Sequence, residues 1–116
     1  MKELLTTYPK ATEVVKAYYL QKLIESLKAD LPEEFKEHVR QQGIDDEKIA
    51  KIIQESPRML FDVFDEHKFH IQISGTDKSG WTWEVLPNYE FSRCTTRKNA
   101  EVEAIKLAFK LLNDKL

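Results

Sequence analysis

The sequence predicts a single-domain α+β fold, and three observations predict it. Hydrophobic spacing is helical over residues 1–66, alternates every second residue over 67–92, and becomes helical again over 95–115. The length, 116 residues, suits one domain with one core. The composition is 41% hydrophobic, too apolar for a disordered chain, and 33% charged, enough for a heavily solvated surface. The expected architecture is an N-terminal helical segment of three to four helices, a two- or three-stranded antiparallel sheet, and a C-terminal helix packed on the sheet.

The first long helix is expected from about Ala11 to Ala29. Its apolar stripe would be Ala17, Leu20, Ile24, Leu27 and Leu31, widened by Leu23. "LPEEF" restarts a helix: Pro32 suits the first turn, and Glu33 and Glu34 suit its positive end. Phe35 and Val39 are its apolar pair, and Gly43 is a left-handed terminator. In "IDDEKI", Asp45 caps the next helix, Ile44 and Ile49 staple it, and Ile49, Ile52 and Ile53 face inward. "SPRMLFDVFDEH" repeats the pattern, with Ser56 as cap, Pro57 at the first helical position, and Leu60, Val63 and Phe64 buried. A strand over 59–64 is the competing assignment.

The period then becomes two. Phe69, Ile71 and Ile73 alternate with polar residues, as do Trp81, Trp83 and Val85, with "GTDKSG" as the turn between them. Pairing Ile73 with Trp81, Ile71 with Trp83 and Phe69 with Val85 puts six large apolar side chains on one face. At roughly 1.5–3 kcal/mol per residue, burying that face is strongly favoured over wetting it. Both tryptophans are therefore expected in the core, beneath the last helix, and not on a binding platform. His70, Gln72, Thr82 and Glu84 form the polar face, with His70 opposite Glu84. "PNYEF" turns the chain and "EFSRC" adds a short third strand. Thr96 caps the last helix, which buries Ala100, Ala104, Ala108 and Leu111 along one edge and Ile105, Phe109 and Leu112 along the other.

Charge limits the partners. The net charge of −2 supplies no global attraction to nucleic acid. Residues 30–66 hold eleven acids against five bases, and residues 67–116 eight bases against six acids. "VRQQGIDDEKIAKII" has the apolar spacing of a helix-turn-helix. The residues that would meet DNA, however, are Asp45, Asp46 and Glu47, which repel phosphate, so the segment reads as a helical hairpin. The lone Cys94 forms no internal disulfide, and no apolar leader or spanning run is present. The expectation is a soluble cytoplasmic protein with no membrane partner.

"DVFDEHKFH" gathers ligand-type residues, Asp62, Asp65, Glu66, His67 and His70. Its spacing matches no established metal site, and no metal or other cofactor is expected. Cys94 has no histidine at a recognisable spacing, and glycines at 43, 75 and 80 build no phosphate loop. Arg93, Arg97 and Lys98 cluster where the last helix begins, the best residue-level candidate for an anion or nucleic-acid site.

"TWEV…EFSRCTTRKNAEVEAIKLAFKLL" resembles small uncharacterised proteins of phages and mobile elements, with a Trp-containing hairpin followed by an Ala-rich C-terminal helix. That resemblance implies no agreed activity. The same segment resembles, in topology, the C-terminal half of double-stranded-RNA-binding domains, which implies phosphate contacts from Arg97 and Lys98. The family's Gly-Pro-His loop has no counterpart here. With no catalytic constellation, the chain is expected not to be an enzyme. It reads as a small interaction module that binds a protein partner or itself, and the alternative is nucleic-acid or anion binding at Arg93, Arg97 and Lys98.

Overall fold

A computed structural model describes residues 2–26, 32–87 and 90–116, with the backbone alone at 90 and 91. These residues form α1 (Lys2–Thr7), α2 (Pro9–Glu25), α3 (Glu33–Gln42), α4 (Asp46–Glu55), a 3-10 turn (Pro57–Leu60), α5 (Phe61–Glu66), β1 (His70–Thr76), β2 (Gly80–Leu86), β3 (Glu90–Cys94) and α6 (Arg97–Lys115). The fold is α+β as expected: helices first, then one antiparallel sheet in the order β1-β2-β3, with α6 packed on it.

The rest of the fold is arranged around α6. Thr96 has extended backbone, and its hydroxyl accepts a hydrogen bond from the Asn99 N–H at 3.1 Å, the expected cap. Ala100, Ala104, Ile105, Ala108, Phe109 and Leu112 are fully buried, so the two predicted edges merge into one face, with Leu111 half-buried at its margin. An alanine at every fourth position leaves one line of the helix without bulk, and that line lets α6 sit close to β2. Phe109 meets Phe64 of α5 edge-on, with ring centroids 5.6 Å apart.

The hairpin register differs from the expected one by two residues. Ile73 pairs with Trp83, Ile71 with Val85, and Gly75 with Trp81. The two glycines read as turn boundaries lie inside the strands, and the turn is only Asp77, Lys78 and Ser79. Thr76 closes it: its hydroxyl accepts from the Ser79 N–H at 3.1 Å. At Gly75, with φ +134°, a side chain would run into the Gly80 carbonyl and the Trp81 backbone, so only glycine lets the strands continue this far. A slip of two preserves parity, and the apolar residues keep their common face. On the polar face, Gln72 opposes Glu84, and His70 opposes Leu86 instead of Glu84. Trp83 is 9% exposed and Val85 fully buried, whereas Trp81, expected equally deep, is half-buried at the end of β2.

The N-terminal half departs further. α1 was not anticipated, yet it buries Leu5, and the Thr12 hydroxyl donates to the Leu5 carbonyl at 3.0 Å. α2 begins earlier than expected, with Pro9 in its first turn. The Asn113 side chain of α6 accepts from the Lys10 and Ala11 N–H groups at 2.9 and 3.2 Å. This anchor rotates Ala11, Thr12 and Val15 inward. Of the predicted stripe, Ile24 is buried, Leu20 is half-buried, and Ala17 and Leu23 are exposed. Leu27, Leu31, the expected end at Ala29, and Asn88 and Tyr89 of the turn lie outside the described residues.

α4 matches expectation. Asp45 accepts from the Lys48 N–H at 2.9 Å, and Ile49, Ile52 and Ile53 are buried. Residues 57–66 are helical, not a strand, but Ser56 makes no side-chain cap. Its carbonyl instead accepts from the Met59 N–H at 3.0 Å, so the segment opens as a 3-10 turn and becomes α-helical at Phe61. α3 ends at Gly43 in the left-handed region (φ +68°), as expected. It buries none of its own side chains: Val39 is half-buried and Phe35 is 47% exposed. The Cα radius of gyration is 15.6 Å, against about 13 Å for a compact domain of this length, so the molecule is elongated.

Replacing Thr96 by alanine is expected to lower the unfolding free energy in urea by about 1 kcal/mol. Ser56→Ala should change it by less than about 0.5 kcal/mol, because that hydroxyl caps nothing.

Candidate functional site

The three basic residues at the start of α6 are mostly engaged within the chain. Arg93 on β3 donates to the Ser79 carbonyl of the hairpin turn. Arg97 donates to Glu101 at 3.1 Å and lies over the Trp81 ring, 5.5 Å from its centroid. Glu101 is the one charged residue buried among those described, 5% exposed, and Arg58 approaches it to 3.9 Å. The Trp81 indole N–H donates to Asp77 at 2.9 Å. One carboxylate and one aromatic ring therefore hold Arg97 against the fold, which explains why Trp81 stays at the edge: its outer face is covered by a guanidinium and not by a helix. The Trp83 N–H is buried with no acceptor among the described residues. Lys98 makes no ion pair there, and Lys78, Arg93 and Thr95 line a groove of about 430 Å³.

The acidic and histidine cluster is only partly assembled. His70 and Asp65 meet at 2.7 Å across the α5–β1 connection, both well exposed. Asp62 and His67 do not join them. Among the described residues, no three Asp, Glu, His or Cys side chains gather as a metal ion requires. The His67 carbonyl accepts from Lys115 at the end of α6. Cys94 is half-buried and pairs in register with Trp81.

A second region was not foreseen. Tyr19 and Leu23 of α2, with Gly43, Ile44 and Asp45 of the α3–α4 connection and Lys48 of α4, line a groove of about 340 Å³. Leu23 is 41% exposed at its side. The sequence carried a signal for it: α3 has only Phe35 and Val39 as large apolar residues, too thin a stripe for a helix that faces the core. The predicted stripe on α2 concealed it by placing Leu23 inward.

Ion pairs fix the walls of this region. Asp46, just inside the start of α4, pairs with Lys16 of α2, and Glu47 pairs with Lys2 of α1 at 2.7 Å. The Asp46 carboxylate, as hydrogen-bond acceptor, holds Lys16 above its ordinary 10.5 although burial opposes this. Tyr18 sits above its ordinary 10.0 chiefly because burial disfavours the phenolate. Lys22 opposes that shift, and Asp62, Glu66 and Glu25 reinforce it. Tyr18 lines a further groove, between α2 and α5, with Val14, Gln21, Glu66 and His67.

No family model, curated protein or solved structure matches this chain. Among the described residues, no helix is long and apolar enough to cross a membrane.

Lys16 and Tyr18 both keep their protons to higher pH in the native state than in the unfolded chain. Their contributions are complete below about pH 10 and are lost as pH rises through the raised native values. Urea titrations at rising pH should show stability declining above about pH 10. Tyr18→Phe should flatten that decline. Lys16→Met should flatten it too, from a lower starting stability, because it also breaks the α2–α4 tie.

Proposed function

We propose that this chain is a non-catalytic protein-interaction module that receives a basic amphipathic helix of a partner protein in the groove beside Leu23. The carrying observation is large apolar surface left open on an acidic helical arm. Leu23 is 41% exposed at a groove that it lines with Tyr19 and Ile44, and Phe35 is 47% exposed on α3, the helix that neighbours α2. Apolar anchors at helical spacing fill such a groove, and a few of them carry most of the binding energy. The surrounding charge selects the partner. Glu33 and Glu34 at the start of α3, with Asp45 at the groove, favour basic flanks, whereas Glu37, Asp46 and Glu47 already face Arg40, Lys16 and Lys2.

The second reading is anion or nucleic-acid binding at the other charged region, through Lys98 and the groove lined by Lys78 and Arg93. Arg97 contributes least to it, because Glu101 already neutralises its charge.

The double variant Leu23→Ser, Phe35→Ser should keep its urea midpoint nearly unchanged, since both side chains are exposed, yet lose a basic helical partner recovered by the unaltered protein. Undiminished recovery counts against the groove. On heparin, the interaction module should elute at or below about 0.15 M salt. Retention well above that, reduced by Arg93→Gln and Lys98→Gln, favours the second reading.

A further inference from the structure

We infer that β1 pairs antiparallel with β1 of a second copy of this chain, across a two-fold axis at Gln72, joining the two sheets into one. The surface is distinct from the groove beside Leu23 and is independent of what that groove binds. β1 and β3 are the two edges of the sheet, and no other strand pairs with β1 among the described residues. An edge strand presents unpaired backbone N–H and C=O groups, and natural proteins guard such edges with charges, prolines, bulges or very short strands. β3 follows that practice, with only five residues, Arg93 among them. β1 does not: its seven residues, "HIQISGT", contain no lysine, arginine, acid or proline, and they pair with β2 without a bulge.

Burial within the sheet points the same way. Val85 is fully buried and Trp83 is 9% exposed, yet their direct partners on β1, Ile71 and Ile73, are only half-buried on the same face. The apolar face therefore runs past the cover that α6 provides and reaches the unguarded edge.

The register follows from the side chains. With Gln72 on the axis, Ile71 of each copy faces Ile73 of the other on the helix side, and His70 faces Ser74 on the open side. Four isoleucines then form a strip continuous with both cores, and no charge faces its own kind within the strand. At the ends, Lys68 of one copy comes level with the uncharged Thr76 of the other, and Lys78 comes level with Glu66 at the end of α5. Moving the axis to Ile73 sets Lys68 against Lys78 and faces Ile71 with Gly75, which has no side chain to pack. Moving it to Ile71 sets Ile73 against Phe69, already buried in its own core. Opposite charges and isoleucine pairing thus select the same register, and the occupant they select is a second copy rather than an unrelated extended peptide.

The test uses the full chain with Cys94→Ser to remove the native thiol. Sedimentation equilibrium should show a dimer. Gln72→Cys should form a disulfide-linked dimer on mild oxidation, because residues facing each other across the axis have Cβ atoms about 4.5–5.5 Å apart, close to disulfide range. Ser74→Cys should not, because Ser74 faces His70. Gln72→Lys keeps an exposed side chain opposite Glu84 in its own sheet but places two ammonium groups on the axis, and it should weaken the dimer by about tenfold or more. Leu23→Ser, Phe35→Ser should leave the dimer intact. A monomer at all concentrations up to about 0.5 mM would overturn the inference, since four facing isoleucines and paired edge backbone require a tighter association than that. So would cross-linking through Ser74→Cys as readily as Gln72→Cys, an unchanged Gln72→Lys dimer, or loss of the dimer in the Leu23 and Phe35 variant.

Discussion

Phe109 meets Phe64 edge-on beside a row of three alanines, and at this contact the helical half of the chain joins the sheet half. Alanine at 100, 104 and 108 decides how near α6 comes to β2, and that closeness buries Trp83 and Val85. The same helix fixes α2 by accepting two backbone hydrogen bonds at Asn113 and fixes the hairpin end through Arg97 on Trp81. Enlarging an alanine in this row would move all of these at once, because the close-packed core has no room to absorb extra methylenes. What α6 leaves uncovered is equally determined. Its position commits one face of the sheet to the core and leaves Gln72, Ser74, Thr82 and Glu84 on the other, polar, face.

The acids of residues 30–66 do two kinds of work. Asp45, Asp46 and Glu47, crowded into seven ångströms or so of chain, cap α4 and tie it to α2 and α1 through Lys16 and Lys2. Exposed pairs of this sort contribute little to stability one at a time. Their effect is geometric, since they hold the α3–α4 connection against α2 and so shape the groove beside Leu23. The acids of α3 are left more open: Glu37 pairs with Arg40 at 3.1 Å on the same helix, while Glu33 and Glu34 stand at the positive end of its dipole. A helix so charged, with none of its side chains buried and no side-chain cap at its start, draws its order from its closure at Gly43 and from α2 rather than from the core.

The half of the sequence with a strict period was the readable half. Alternation over residues 69–85 fixed which residues share a face even though the register was off by two, because a slip of two cannot change parity. The slip arose from glycine: Gly75 and Gly80 read as turn residues, whereas their missing side chains are what let the strands approach. Asp45 and Thr96 were legible as caps because a cap is a local hydrogen bond, complete within four residues. The face of α2 was not legible. Its stripe was ambiguous, and the choice between two stripes was made by Asn113, about a hundred residues away. The candidate groove went unread for the same reason, since Leu23 lies open only once α2 has been turned. Arg97 and Glu101 stand four apart on α6, a spacing that brings two side chains together on one helix face, so their pairing was open to the sequence, whereas the burial of Glu101 was not.

A helix about 10 Å wide laid on strands about 4.8 Å apart covers about two of them well. On a three-stranded sheet, one helix centred on β2 must therefore leave the outer side chains half-covered. In this chain that shortfall falls on Ile71 and Ile73, at the edge without charges, while the opposite edge is a shorter strand that carries Arg93. The proposed dimer closes it with the cheapest partner available, a strand of identical pattern running the other way. Pairing through β1 also keeps α6 of both copies on one side of the joined sheet and leaves the helical arms free. A dimer of this form presents two acidic grooves at a fixed separation. A partner with two basic helices, or a surface displaying several, would then be held by both at once, and its second contact would benefit from a raised effective concentration. Self-pairing at the sheet and recognition at the arm are in that sense complementary uses of the two surfaces that α6 does not cover.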